Sequence, residues 1–498
     1  MFKKILVANR GEIAIRIMRT AREMGIETVA IYHETDKLMP FVQYADYAYE
    51  LKKDTPKSAY LDIEQILDIA KKSGAEAIHP GYGFLSERAE FSRAVNDAGL
   101  IFIGPMGDSI EMMGSKTKAR ELMAKAGVPI VPGTKERINN IERAKEIANE
   151  IGYPILLKAA AGGGGKGMRK VYLENELESS FEGASREALK AFGDDSIYIE
   201  KYIENPKHIE IQILADHHGN YIYLGERDCS IQRRHQKVIE EAPSTVLDNV
   251  LRQKIGNVAI NAAKACNYFN AGTIEFLLDK NKNFYFLEMN TRLQVEHPVT
   301  ELTTGLNLVK EQIKIAYGEK LNYNQDDIKL NGYAIECRIY AEDPFNNFLP
   351  DTGKILYYRQ PAGYGVRVDS GVETGSEISM HFDPMISKLI TWGKDRIEAI
   401  NRMEMALKNY KIKGVRTIIP FLLAVMQHTD FRYGYFDTGF IEHSFNFDVL
   451  EKMRAENEEI VAAIAAFGKN LLYNHKTSIN NTPKISKWKQ SQLFLRRM

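Results

Sequence analysis

Residues 271–298, AGTIEFLLDKNKNFYFLEMNTRLQVEHP, carry the pattern that decides the fold. Two strand-like apolar runs flank the turn-rich DKNKN, and with Asp279 and Phe284 closing a four-residue loop, Glu275 falls directly opposite Glu288 on one face of a hairpin. Two facing carboxylates repel. The arrangement makes sense if a divalent cation sits between them. Period 2 carries the same face onward through Asn290, Arg292, Gln294 and Glu296, so one edge displays carboxylates, an amide and a guanidinium in succession. A solvated strand face would also be polar, but such a row directly after an apolar hairpin favours a site. Hard oxygen ligands suit Mg²⁺, with Mn²⁺ an alternative, and such a cation usually also binds substrate phosphates. Arg292 can grip a small oxyanion with two parallel hydrogen bonds.

Upstream, Lys158 opens KAAAGGGGKGM, four consecutive glycines between two lysines. A Walker loop would read G-x-x-x-x-G-K-[ST] and lead into a helix. Here Gly165-Lys166 leads through Gly167 into an apparent strand, so the glycines cap a hairpin. Such a tip is either loose and solvated or a lid whose backbone N–H groups fold over phosphates. Between these stretches lies GERDCSIQRRHQKVIEEAPS, which gathers Arg227, Arg233, Arg234, His235 and Lys237. Alone it reads as a solvated basic turn; beside a nucleotide and an anion it reads as a charge clamp. HPGYGFLSE, residues 79–87, says by itself only that backbone approaches something closely.

From residue 1 to about 113, short apolar runs alternate with helical periodicity, which indicates βαβ units and a parallel, doubly wound sheet. Its first turn, Asn9-Arg-Gly-Glu12, lacks G-x-G-x-x-G and disfavours a dinucleotide site. Residues 131–204 read as a small α+β subdomain, and 333–446 as short strands followed by a helix. The last 50 residues carry one amphipathic segment with Ile460, Val461, Ile464 and Phe467 on one face, then a basic end.

Composition bounds the rest. The 498 residues suffice for roughly three domains, and 44% hydrophobic with 27% charged residues is an ordinary globular balance. Lys+Arg and Asp+Glu stand at 66 each, so no global field steers the chain to nucleic acid or an anionic membrane. Cys229, Cys266 and Cys337 are widely spaced and form neither a disulfide framework nor a metal pattern, which suggests a reducing compartment. The N-terminal apolar run is too short for a signal core, and no run of about 18 apolar residues occurs. A cytoplasmic location is expected.

Taken in order, ILVANRGEIAIRI, HPGYGFLSE, KAAAGGGGKGM, ERDCSIQRRHQKVIEEAP, EMNTRLQVEHPVTE and ECRIYAED resemble the biotin carboxylases of the ATP-grasp superfamily nearly end to end. The resemblance implies α/β and α+β architecture: a Rossmann-like N-terminal domain (1–113), an ATP-grasp domain with a mobile lid (114–332, lid about 131–204), a C-terminal β-containing domain (333–446) and a helical extension (447–498). It implies that ATP phosphorylates bicarbonate to carboxyphosphate, whose CO₂ carboxylates N1′ of biotin on a carrier protein. Lys116, Lys158, Gly163, Gly164, Gly165 and Lys166 would meet the ATP phosphates. Glu200, Lys201 and Ile203 would form the adenine hinge, and His208, Gln232 and His235 the ribose and phosphate region. Glu275, Glu288 and Asn290 resemble the Mg²⁺ ligands, the two glutamates also counting toward the ATP site. Bicarbonate would lie on Lys237, Arg292, Gln294 and the Val295 backbone, with Glu296 as general base. Arg338 resembles the arginine that stabilises the biotin enolate oxygen, with Tyr82 and Gly83 lining the biotin pocket. Lys237, Arg292, Glu296 and Arg338 are then the catalytic set.

Two departures refine this expectation. In ISMHFDPMISKLITWG, His381, Phe382 and Pro384 replace the Tyr-Tyr-Asp-Ser run of the bacterial acetyl-CoA carboxylase protein, and the segment looks more like propionyl-CoA-type acyl-CoA carboxylases. The tail carries no Ala-Met-Lys-Met biotinylation motif, so a carrier protein and a carboxyltransferase are expected as separate polypeptides, with a homodimer implied by the family. A biotin carboxylase subunit of a pyruvate carboxylase, another ATP-grasp carboxylate ligase and a non-catalytic ATP-binding scaffold are the alternatives.

Overall fold

A computed structural model describes residues 1–134, 137–159, 168–192 and 194–476; Gly163, Gly164, Gly165 and Lys166 lie outside the described residues. Near the N-terminus, short runs form β1 (Lys4–Val7), β2 (Glu27–Tyr32), β3 (Tyr47–Glu50), β4 (Ala77–His79) and β5 (Ile101–Phe102), the central ones mostly apolar and buried, which pair in parallel in the order β3-β2-β1-β4-β5. Ile5, Leu6 and Val7 are fully buried because helices cover both faces, as parallel sheets require. The helix Gly11–Glu23 follows β1 directly, and Gly11 makes the turn at φ +65°.

A three-stranded antiparallel sheet, β6 (Ile155–Ala159) between β7 (Arg169–Val171) and β8 (Ile197–Lys201), packs with the helices Ile141–Ile151 and Leu177–Phe192 around Ile147, Leu157, Phe181 and Ile199. The hairpin expected around the glycines is formed by β6 and β7, with Leu157 opposite Arg169.

The largest layer is an eight-stranded antiparallel sheet. Its strands are β9 (Lys207–Ala215), β10 (Tyr221–Arg233), β11 (Gln236–Ala242), β12 (Asn270–Leu278), β13 (Phe284–Asn290), β14 (Tyr333–Tyr340), β15 (Val366–Ser370) and β16 (Met385–Gly393), in the order β13-β12-β9-β10-β11-β14-β16-β15. The sheet runs without interruption across residues 332 and 333, because β14 pairs with β11. The helix Asn249–Ala265 covers one face, burying Ile255, Ala259 and Ala262 against Ile209, Ile211 and Ile274. At Gly272 a β-carbon would come within 2.6 Å of the Tyr268 ring, itself fully buried. Overpacking a closed core costs about 1–3 kcal/mol. Gly272→Ala is therefore expected to lower the melting temperature of the purified protein by several degrees, read by differential scanning fluorimetry; an unchanged melting temperature would contradict that packing.

The N-terminal helix and the large sheet are stitched by buried charge. Arg16 meets Glu301 at 2.7 Å; Arg367 meets Glu301 at 2.8 Å and Asp369 at 2.7 Å; the fully buried Lys388 lies 3.3 Å from Glu12. Burial pushes the Asp369 carboxyl up, but Arg367 and Lys388 outweigh it and hold Asp369 well below its usual value. A carboxyl depressed on folding contributes stability above its unfolded value, about 3.9, and loses it as pH falls through the folded value. Acid unfolding is thus expected to steepen below about pH 4, and Asp369→Asn to flatten that limb while lowering stability at pH 7. Parallel acid titrations by circular dichroism check this.

From Asn446 on the chain is a separate unit, described by itself: its described residues hold one helix, Asp448–Lys476, with Ile460 and Ile464 exposed. Among the described residues no helix is long and apolar enough to cross a membrane.

Candidate active site

Strand register assembles the site. Arg227 on β10 pairs with Glu210 on β9, Glu210 with Glu275 on β12, and Glu275 with Glu288 on β13, so four charged residues form one row across four strands. The Glu275–Glu288 pairing expected from the sequence is present, although the loop is one residue longer than expected, with Leu278 opposite Phe284. A register shift between Glu275 and Phe276 restores the alignment.

The continued strand does not form. β13 ends at Asn290, and residues 291–296 turn into the helix His297–Thr304, which leaves Glu296 at its N-cap. The polar side chains converge all the same. Gln294 donates to Glu275 Oε1 at 2.7 Å, and Asn290 Nδ2 donates to the same oxygen at 2.7 Å. Lys237 Nζ donates to Glu275 and Glu296 at 2.9 Å each and also to Glu210. His208 Nε2 donates to Glu275 Oε2 at 2.8 Å, a tautomer fixed because Gln232 Nε2 donates to Nδ1 at 2.9 Å. Burial raises the Glu275 carboxyl, yet Lys237 and His208 hold it well below its usual value. Burial depresses the Lys237 ammonium, and Glu210, Glu275 and Glu296 more than reverse that.

Glu275 and Glu288 supply hard oxygens that fit Mg²⁺. Asn290 presents its amide nitrogen to Glu275 and its oxygen to Arg292 Nη2 at 2.7 Å, so its oxygen is turned away from Glu275. Arg292 Nε also donates to Glu87 Oε2 at 2.9 Å, and Glu87 accepts from the Thr291 backbone at 3.1 Å. The last residue of HPGYGFLSE thus orients Arg292.

Arg338 on β14 lies half-buried between two carboxylates, donating to Glu240 Oε1 at 2.6 Å and to Glu296 Oε2 at 3.0 Å. Burial opposes ionisation of Glu296, but Lys237, Arg338 and Arg227 keep its carboxylate charged far below the usual range. Burial pushes Glu240 up to about 7 against the pull of Arg338. Tyr82 donates its hydroxyl to Glu12, and Gly83 takes φ +71° beside Phe84 at φ +44°. Asn9 pins this turn, donating to the carbonyls of Pro80 at 2.7 Å and Tyr82 at 2.8 Å. The Val295 carbonyl accepts from Lys388 at 2.8 Å. Phe382 packs edge-to-face with Phe84 and Tyr60 and lies under the Arg10 guanidinium, so the departure at 381–384 touches the same turn.

Around the small sheet, Glu200 accepts from Lys158 at 2.5 Å and from Arg120. Lys201 Nζ donates to the Gly152 and Tyr153 carbonyls, and half-buried Ile203 follows β8. Lys116 opens the helix Lys116–Lys125, with Ser115 as N-cap; its side chain is outside the description. The basic segment does not act as one clamp. Arg233 pairs with Glu342, Arg234 donates to Asn347 at 3.0 Å, and exposed His235 sits at the tip of the β10–β11 turn at φ +64°. Of that group only the fully buried Arg227 and the half-buried Lys237 reach the carboxylate row. Sequence reasoning missed Glu210, Glu240, Glu87 and Asn9, and it placed Arg227 in the wrong company. The alternation of His208, Glu210 and Gln212 with Ile209, Ile211 and Ile213 could have found the first of these.

Three family models match this chain in order: Biotin carboxylase, N-terminal domain over residues 1–110; Carbamoyl-phosphate synthase L chain, ATP binding domain over 115–324; and Biotin carboxylase C-terminal domain over 336–443. A pyruvate carboxylase subunit from Methanothermobacter thermautotrophicus is 54% identical across 93% of this chain and 94% of its own. Biotin carboxylase 1 of Bacillus subtilis is 52% identical across 90% of this chain and 100% of its own. Among solved structures, the biotin carboxylase domain dimer of Hydrogenobacter thermophilus 2-oxoglutarate carboxylase, in complex with MgADP, ADP and bicarbonate, superposes with a TM-score of 0.82 at 52% identity, covering 89% of this chain and 97% of that one. A sheet that lines up facing carboxylates, a lysine and two arginines, and relatives that match along nearly their whole length, lead to one conclusion: the chain belongs to the biotin carboxylase family of ATP-dependent ligases.

Proposed function

We propose that this chain carboxylates biotin on a separate carrier protein, using ATP and bicarbonate, in the first half-reaction of a multisubunit carboxylase. The observation that carries the reading is Glu296, a buried carboxylate shared by Lys237 at 2.9 Å and Arg338 at 3.0 Å. A base for bicarbonate and a cation for the biotin oxygen thus touch one another, as two consecutive reactions in one pocket require. Glu296 takes the bicarbonate proton, while Lys237, Arg292 and Gln294 hold its oxygens. A bicarbonate oxygen forms its bond to the γ-phosphorus as the bond to ADP breaks, a step in which the protein supplies mainly positioning and charge. Carboxyphosphate then splits into CO₂ and phosphate beside the biotin ring on the Tyr82–Gly83 turn; the released phosphate takes the N1′ proton, Arg338 stabilises the resulting enolate oxygen, and N1′ forms its bond to CO₂. Bound Mg²⁺ would be held by Glu275 and Glu288, neutralising phosphate charge.

The nucleotide side rests on Lys158, Glu200, Lys201, Ile203, His208 and Gln232, with Lys116, His235, the glycine run and Lys166 carried by resemblance alone. The test is ADP release from ATP. It should require bicarbonate and rise with free biotin; release independent of bicarbonate would overturn the reading.

For the acceptor, the sequence of the 381–384 segment supports an acyl-CoA carboxylase. A second reading, a biotin carboxylase subunit of a 2-oxo acid carboxylase, is supported by likeness: the Methanothermobacter pyruvate carboxylase subunit is 54% identical and the small subunit of Hydrogenobacter 2-oxoglutarate carboxylase 52%, against 48% for the propionyl-CoA carboxylase alpha chain of Ruegeria pomeroyi. A homodimer fits the dimeric Hydrogenobacter neighbour. Assay of the co-purified complex with acetyl-CoA, propionyl-CoA, pyruvate and 2-oxoglutarate decides between them.

A further inference from the structure

Arg227 is the largest fully buried side chain among the described residues. Its fork is completely used. Nε and Nη2 donate to Glu210 Oε2 at 3.2 and 3.1 Å; Nη1 donates to Gln212 Oε1 at 2.7 Å and Thr300 Oγ1 at 3.0 Å; Nη2 also donates to Thr273 Oγ1 at 3.0 Å and to Gln294 Oε1. These partners come from β9, β12, the 291–296 turn and the helix His297–Thr304, so one guanidinium joins the carboxylate row to the turn that carries the bicarbonate residues.

We infer that Arg227 is a positioning residue for bicarbonate, acting through Gln294. The amide of Gln294 has two orientations. Because its oxygen accepts from Arg227, its nitrogen must point the other way, into the site, where it donates to Glu275 at 2.7 Å. Reversed, the amide oxygen would face the Glu275 carboxylate and its N–H groups would face a guanidinium, two repulsive contacts in a buried site. The site therefore presents a donor to an incoming oxyanion because Arg227 takes the acceptor end. Thr300 completes the device by tying the first turns of the helix that begins at Glu296 to the same guanidinium. Glu210 balances the charge that this requires below the row.

A merely structural role for a buried arginine would weaken every activity together. A positioning role through Gln294 would not, and this separation rests on the biotin carboxylase reading above. Lysine at this position keeps the charge but has a single nitrogen, which cannot span Glu210, Gln212 and Gln294 at once. Arg227→Lys is expected to lower kcat/KM for bicarbonate roughly 10- to 100-fold, as for loss of one charged hydrogen bond, with the KM for ATP changed less than about three-fold. In a Gln294→Ala background the same change should add less than about three-fold, because its target is gone. Equal losses for ATP and bicarbonate, or effects that multiply in the double variant, would overturn the inference. Should Arg227→Lys fail to fold, Thr300→Val decides: isosteric and on the helix, it should raise the KM for bicarbonate and leave that for ATP unchanged, and an unchanged KM for bicarbonate refutes the coupling. If the unmodified protein shows no bicarbonate-dependent ADP release, the proposed function itself has failed, a result distinct from any of these.

Discussion

Glu296→Gln is expected to cut bicarbonate-dependent ADP release by about 10²–10⁴-fold, the usual contribution of a positioned general base, while nucleotide binding stays within about two-fold. The carboxylate is buried and held in place by Lys237 and Arg338, each within 3.0 Å. Gln has the same shape and keeps one acceptor oxygen for Lys237 or Arg338, while its NH2 faces the other cation, so the side chain keeps its place at the cost of one charged contact and the ability to take a proton is lost. The cations that steady Glu296 also keep it ionised, which weakens it as a base in the empty site. Calorimetric titration with ADP beside a turnover assay gives both quantities. Turnover within ten-fold of the parent would remove Glu296 from the role of base. Loss of ADP binding would show that the substitution had disturbed the sheet.

The hairpin at 271–290 was legible because it is local. Alternation and a turn fix which carboxylates face each other, and even the register shift next to Glu275 leaves that pairing intact. The βαβ pattern of the N-terminal sheet was legible for the same reason. What the sequence hides is contact between distant strands. Glu240 and Glu336 are in register on β11 and β14, nearly a hundred residues apart, and nothing in either segment announces the partner. The break after Asn290 was hidden too. Period 2 describes a residue list equally well whether the chain stays extended or coils into a turn, and Pro298 at the second position of the following helix was the overlooked signal. Side-chain convergence survived that error because Lys237, arriving from β11, gathers Glu275 and Glu296 whichever way the backbone runs. The basic cluster failed in the opposite sense. Five cations adjacent in sequence are dealt to both faces and to the tip of a hairpin, so their proximity along the chain says little about proximity to one anion.

Arg338→Lys is expected to separate the two half-steps. Bicarbonate-dependent ADP release in the absence of biotin should stay within about ten-fold of the parent, while carboxylation of free biotin should fall about 10²–10³-fold, the scale for losing an oxyanion-stabilising donor. The physical reason is the fork. Arg338 reaches Glu240 with Nε at 2.6 Å and Glu296 with Nη2 at 3.0 Å, and a planar guanidinium can keep one of these contacts while turning an N–H toward a ureido oxygen. Lysine preserves the charge between the carboxylates but offers a single point of contact, already claimed by Glu240 and Glu296. Arg338→Gln should do more damage of a different kind. It strips the cation from Glu240, which pairs across the strands with Glu336, whose two oxygens have no hydrogen-bond partner among the described residues. Leaving buried carboxylates without their cation costs about 3–5 kcal/mol, so the glutamine variant should melt several degrees lower and lose both activities. The lysine variant should keep the parent's melting temperature within a few degrees and lose only the second step. If carboxylation and ADP release fall together in Arg338→Lys, the arginine serves the architecture of the β11–β14 pair and the biotin oxygen must be met by another donor.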